Sequence, residues 1–232
     1  MTIEEKVAAV RAEIDNAARA CGRDEKTVLL CAATKMNDAE TVLRAVRAGV
    51  DCCGENRVQE FLQKQPAGAY GDKPVHFIGR LQTNKVKYLV GAVDLIQSVD
   101  RTELLAAIEK EAVKRGVTQN ILLEVNVGGE ESKGGFAPTQ VAEICASMSN
   151  FPHLRVRGLM AIPPIAEAPG ANRKYFAEIR RLAVDIAAKK YDNVSMECLS
   201  MGMSGDFADA IAEGSTMVRV GTAIFGPRNY NT

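Results

Sequence analysis

The feature that most limits how this chain can fold is an alternation. Eight apolar runs, at 28–35, 50–54, 74–80, 95–99, 121–127, 156–162, 196–201 and 217–226, are each followed by a polar turn. All but the last lead into a segment with helical spacing. Runs such as VLLC at 28–31 show no polar alternation, as expected for parallel strands covered on both faces. Repeated strand–helix units imply parallel pairing through helical crossovers. No linker or shift in composition interrupts them. The pattern predicts an α/β fold, a single (β/α)8 TIM-type barrel domain spanning residues 1–232. A doubly wound open sheet is the alternative. It would carry a glycine-rich nucleotide loop after the first strand, where this chain has ATKMND, without glycine.

One element stands outside the repeat. Residues 1–22 predict an additional N-terminal helix, with Thr2 and Glu5 spaced as a capping box. Ile3, Val7, Val10, Ile14, Ala17 and Cys21 form its apolar stripe, and Gly22 ends it.

Charge and composition exclude several functions. The 29 basic and 29 acidic residues give a formal net charge of +0, against a broad nucleic-acid or anionic-membrane surface. Aromatics make up 5% with no Trp, against base-stacking platforms. The six cysteines sit mostly in apolar runs without a C-x-x-C pair, which reads as core packing in a reducing compartment. With only His76 and His153, a zinc site finds little support. The N-terminus does not read as a signal peptide, and no apolar run reaches membrane-spanning length. A cytoplasmic protein is expected.

The chemistry gathers at strand ends. Lys35 closes the first strand, at the barrel face where ligands bind. Partial desolvation there lowers an amine's pKa and prepares it to attack an aldehyde. The seventh strand runs into LSMGMSGD, where Ser200, Gly202, Ser204 and Gly205 can offer backbone N–H groups and hydroxyls to an anion. Gly221 and Thr222 in the eighth run can do the same. Arg219 faces the interior by parity, where a lone charge is costly. It could pair with Glu124 or Glu197, or donate to a ligand's acceptor nitrogen. An amine, an anion cradle and an interior arginine suit pyridoxal 5′-phosphate (PLP): Lys35 for the aldehyde, Ser204, Gly221 and Thr222 for the phosphate, Arg219 for the ring nitrogen.

ATK at the first strand end, GENRVQE, HFIGRLQTNK, SVDR, VNVGGEESKGGF, GLMAIPP and LSMGMSGDFADAIAEGSTMVRVGTAIFG occur in one order over nearly the whole chain. This set resembles the pyridoxal phosphate homeostasis protein family, itself similar to the barrel domain of alanine racemase. The resemblance implies a Schiff base at Lys35, and a phosphate held by the Ser200, Met201, Gly202, Ser204 turn and the Gly221–Thr222 pair. It also implies Arg219 at the pyridine nitrogen, and Asn56 and Met160 lining the pocket. Arg57 departs from the family pattern, in which an aromatic residue is frequent.

A carrier is favoured over an enzyme. Arginine cannot accept a proton from the ring nitrogen, which weakens the cofactor as an electron sink. Racemisation also needs a second acid/base on the opposite face of the substrate. In the racemase a tyrosine of another domain supplies it. Here Tyr70, Tyr88, Tyr175, Tyr191 and Tyr230 fall mostly on helices or loops. The expectation is a monomer that holds PLP, acts in vitamin B6 and amino-acid homeostasis and serves apo PLP-dependent enzymes, with no nucleic-acid or membrane partner. The alternatives are a PLP-dependent racemase and a lysine aldolase acting on sugar phosphates. His76 reads as a core histidine, Cys52 and Cys53 as facing opposite sides of their strand, and Lys133 as a solvated loop lysine.

Overall fold

The computed structural model describes residues 1–130 and 133–227, so Tyr230 lies outside the described residues. Eight parallel strands close into a barrel in chain order: β1 (Leu29–Ala33), β2 (Cys52–Glu55), β3 (Val75–Phe77), β4 (Leu95–Val99), β5 (Gln119–Val125), β6 (Leu154–Ala161), β7 (Val194–Met203) and β8 (Met217–Val220). The seam is made where β1 pairs with β8, Leu29 beside Met217 and Cys31 beside Arg219. The TIM-type barrel expected from the alternation is the observed fold.

Helices α2 (Ala39–Arg47), α3 (Val58–Lys64), α4 (Thr102–Arg115), α5 (Pro138–Ala146), α6 (Arg173–Lys189) and α7 (Phe207–Ala212) cover the outside. A 3-10 helix, Thr83–Tyr88, stands between β3 and β4. The last helix, α8 (Thr222–Phe225), is a single turn. The N-terminal helix α1 (Ile3–Ala20) has its expected box, with Thr2 and Glu5 bonded reciprocally. Val7, Val10, Ile14 and Ala18 turn its buried face against α7, α8 and α2. Thus α1 is more than an addition: it fills the gap in the helical ring beside the short α8. Arg11 ties it to the strands, donating to the Val28 carbonyl and pairing with Asp51.

Every strand but β4 begins or ends a residue or more away from the sequence reading, and at two of them the difference changes the local structure. The third strand stops at Phe77, well before Arg80. The run 217–226 is also not one strand. After Val220 the backbone coils, with the N–H groups of Ile224 and Phe225 donating to the Gly221 carbonyl at 3.0 and 2.9 Å. Its apolar residues cover α1, so burial made a helical turn look like strand.

The core has two parts. Leu30, Ala32, Cys53, Phe77, Ile96, Ile121, Leu123, Val156, Leu159, Val218 and Val220 face the helices in one apolar shell. Inside the barrel sit two small clusters, Cys31, Cys52 and Met217, and Leu95, Leu122 and Met160, with Cys198 against both. No helix among the described residues is long and apolar enough to cross a membrane.

Candidate functional site

Lys35 sits half-buried in the turn that leaves β1, two residues beyond the strand. That turn is held from behind by a buried polar network. Thr34 donates from N to the Gly54 carbonyl at 2.9 Å and from its hydroxyl to Glu55 at 2.5 Å. The Lys64 ammonium, also buried, donates to the Thr34 carbonyl and to Glu55, both at 2.8 Å, and to Glu60 at 3.0 Å. Tyr70 donates to Glu55 at 3.1 Å, and burial together with that carboxylate pushes its phenol well above the usual range. Glu60 accepts from the Met36 N–H at 2.7 Å, and Asn37 donates to the Lys35 carbonyl at 3.0 Å. Along the chain this network shows only as the acidic and basic spacing of Glu60 and Lys64 on α3.

Across the mouth, the loop from β7 to α7 and the turn into α8 lie side by side. Gly202 has φ +94°, and a Cβ there would come 2.6 Å from the Ala210 Cβ and 2.9 Å from the Phe207 Cα. Only glycine lets this loop close on α7. The Ser204 hydroxyl accepts from the Ala223 N–H at 3.4 Å, linking the loop to α8. Asp206 accepts from the Met203 N–H at 2.7 Å and from Asn172 at 2.8 Å. Gly202, Ser204, Gly221 and Thr222 thus lie at the adjoining ends of β7 and β8, small and hydroxyl-bearing residues of the kind that suit an anion.

Arg219 is buried in the interior, as its parity suggested, but pairs with neither carboxylate named from the sequence. It donates to the Ser200 carbonyl and hydroxyl at 2.6 and 2.7 Å and to the Ala161 carbonyl at 2.9 Å. Glu197 instead pairs with Arg157. The strand register puts carbonyl oxygens of β6 and β7 within the guanidinium's reach, and burial lowers its pKa. The Ser200 hydroxyl accepts from Arg219 at 2.7 Å and donates to Gln97 at 2.6 Å. Met201 turns its side chain into the outer core, leaving its backbone to the loop.

Met160 is buried in the inner cluster, opposite Ser200 in the β6–β7 register and opposite Glu124 in β5–β6. Burial first, then the Asp100 charge, pushes the Glu124 carboxyl up to about 7 against the opposing pull of Arg219 and Arg80. Asn56 follows β2 with its Oδ1 buried and, among the described residues, without a hydrogen-bond partner. It borders a cleft of about 600 Å³ shared with Arg57, Arg80, Lys85 and Arg101. Lys133 is no bare surface lysine, because it pairs with Glu130 at 2.9 Å.

The residues present fit PLP. An amine, a glycine- and serine-rich turn, a donor-only guanidinium and an amide oxygen that is orphaned among the described residues all lie toward the C-terminal ends of the strands. Fold and site together define a class, the (β/α)8 barrels with a lysine after β1 and glycine- and hydroxyl-rich turns after β7 and β8. The family model described as "Alanine racemase, N-terminal domain" matches residues 6–229. The pyridoxal phosphate homeostasis protein of Aquifex aeolicus is 46% identical over 226 residues, covering 97% of this chain and 98% of that protein. Two structures of PipY from Synechococcus elongatus superpose on it. The one without PLP has TM-score 0.86 at 31% identity, and the one with PLP bound has 0.83 at 30%. Each covers 97% of this chain and 100% of that one. The chain belongs to the pyridoxal phosphate homeostasis protein family.

Proposed function

We propose that this protein binds PLP at the barrel mouth, with Lys35 as the amine that takes the aldehyde covalently and reversibly. In this reading it acts in cellular PLP and amino-acid homeostasis. The observation that carries the reading is the likeness, along almost the whole chain, to PipY with PLP bound. The cofactor supplies an electrophilic aldehyde on an electron-withdrawing ring. Lys35 supplies the nucleophile, on a turn that Glu55 and Lys64 keep in place. Gly202, Ser204, Gly221 and Thr222 hold the phosphate. Arg219 only donates, so a ring nitrogen facing it keeps its lone pair. The Asn56 oxygen gains a partner. The expected setting is cytoplasmic and monomeric, with apo PLP-dependent enzymes as recipients.

The test is the visible spectrum of the purified protein beside Lys35→Ala. The wild type should be yellow after PLP is added and desalted, and the variant colourless. An unchanged band in the variant would move the attachment elsewhere.

Glu124 favours a second reading, a PLP-dependent amino-acid racemase. A carboxyl held near 7 inside the mouth is matched to proton transfer at neutral pH. That reading requires α-proton exchange of an amino acid in deuterated water, abolished in Glu124→Gln. No exchange with any amino acid leaves the carrier.

A further inference from the structure

At the other end of the barrel interior the structure brings together residues that the sequence analysis treated separately. Cys31 on β1 and Cys52 on β2 are partners in the strand register, and both turn inward. His76 joins them from β3. One ligand atom from each lies within 4.8 Å of the other two, and all three residues are buried. Met217 of β8 packs against both thiols, and its Sδ accepts from the Gln97 Nε2 at 3.2 Å. Gly54 leaves room for the first sulfur: a Cβ there would come 2.9 Å from the Cys31 Sγ.

We propose that Cys31, Cys52 and His76 form a binding site for a thiophilic d10 cation, Zn²⁺ or Cu⁺, with the Met217 thioether as a weaker fourth donor. Two thiols, an imidazole and a thioether are a soft donor set, which selects these ions over Mg²⁺ or Ca²⁺. Zinc–sulfur bonds of about 2.3 Å in a tetrahedron bring two sulfurs to about 3.8 Å. Atoms already within 4.8 Å reach that by small rotamer shifts, without moving a strand. Binding releases the two thiol protons to solvent and transfers no electrons. Two thiolates balance a divalent ion, so zinc adds no net charge to the interior.

The surroundings also suit a ligand. Gln97 sits 2.9 Å from the His76 Nδ1, leaving Nε2 to the metal. When Nε2 binds, Nδ1 keeps the proton, and the Gln97 amide turns over to accept it, giving up the bond its Oε1 accepts from Ser200 and freeing the Met217 thioether. Gln97 is itself anchored through Ser200 to Arg219. An entry path exists: a cavity of about 440 Å³ at the N-terminal end of the barrel is lined by Leu29, His76, Leu95, Cys198 and Met217. It opens away from Lys35. The proposal therefore stands whether or not PLP binds at the mouth.

The test uses the full chain, reduced and then freed of reductant, titrated separately with Zn²⁺, with Cu⁺ and with Co²⁺ as a spectroscopic probe. The expected result is one equivalent per chain and a thiolate-to-cobalt charge-transfer band. Cys31→Ser and Cys52→Ser should each weaken binding by about 100-fold or more, while Cys53→Ser keeps it. Alkylation in mild denaturant with and without the ion, read by mass spectrometry, guards against misfolded variants: because burial already shields Cys31 and Cys52, the ion should slow their modification further and leave that of the exposed Cys21 unchanged. Tighter binding of Zn²⁺ or of Cu⁺ identifies the ion. Absence of stoichiometric binding, protection that maps to other cysteines, or a Cys31–Cys52 disulfide whose reduction creates no binding would each overturn the proposal. Yellow colour in Lys35→Ala and wild type reports on the mouth alone, so the two readings fail separately.

Discussion

The two ends of the barrel interior are built differently. The mouth carries most of its groups at strand ends and in the turns beyond them: Lys35 after β1, Asn56 after β2, Gly202 at the end of β7, Ser204 after it and Gly221 before α8. The floor carries Cys31, Cys52, His76 and Met217 on the strands themselves. The Lys35 turn is held from behind by Lys64 of α3 and by Glu55 at the end of β2. The floor groups hold one another. A loop-built site can change its chemistry without disturbing the closed sheet, whereas a strand-built cluster is fixed by register.

That difference sets the expected size of each perturbation. Lys35→Ala should abolish covalent attachment at the mouth altogether, read by mass after borohydride treatment. It should leave unfolding in urea within about 1 kcal/mol of wild type and cobalt binding at the floor unchanged. Lys64→Met should cost about 3–5 kcal/mol in the same unfolding experiment. It leaves the Glu55 carboxylate buried with its cation gone, and among the described residues the Glu55 Oε2 already lacks a hydrogen bond. A variant that unfolds like wild type would remove the network's structural role.

A smaller effect is expected from Glu124. Its carboxyl is raised from 4.5 to about 7 in the fold, so the folded state binds the proton more tightly than the unfolded state. The stabilisation is fully present below the unfolded pKa and is lost as pH rises through about 7. Relative to Glu124→Gln, the wild type should therefore lose on the order of 2 kcal/mol across that window. A constant difference between the two would contradict the burial of the charge. The smallest effect is expected from Met217→Leu at the floor, a swap of similar volume costing less than about 1.5 kcal/mol. It should leave the spectrum of the mouth unaltered. A shifted band would show that the two ends are not independent.

What the sequence made legible follows the same division. Eight strands, the lysine after the first and the glycine–serine turn after the seventh are local patterns, each readable within a few residues. The helical turn at 222–225 was read as strand because burial against α1 made its residues as apolar as a strand's. The Glu55–Lys64–Tyr70 network, the carbonyl partners of Arg219 and the Cys31–Cys52–His76 cluster were not readable. Each depends on which residues the register places opposite one another across strands far apart in the chain. Counting cysteines and histidines argued against a metal site, since spacing along the chain carries no trace of closure between β1, β2 and β3.

The central claim, one covalent attachment point at the mouth, is tested most directly by borohydride reduction of the PLP-loaded protein followed by peptide mapping. The account expects the pyridoxyl mass on the peptide containing Lys35 and nowhere else at stoichiometric level. The same mass on Lys133 or another lysine, with Lys35 unmodified, would contradict it.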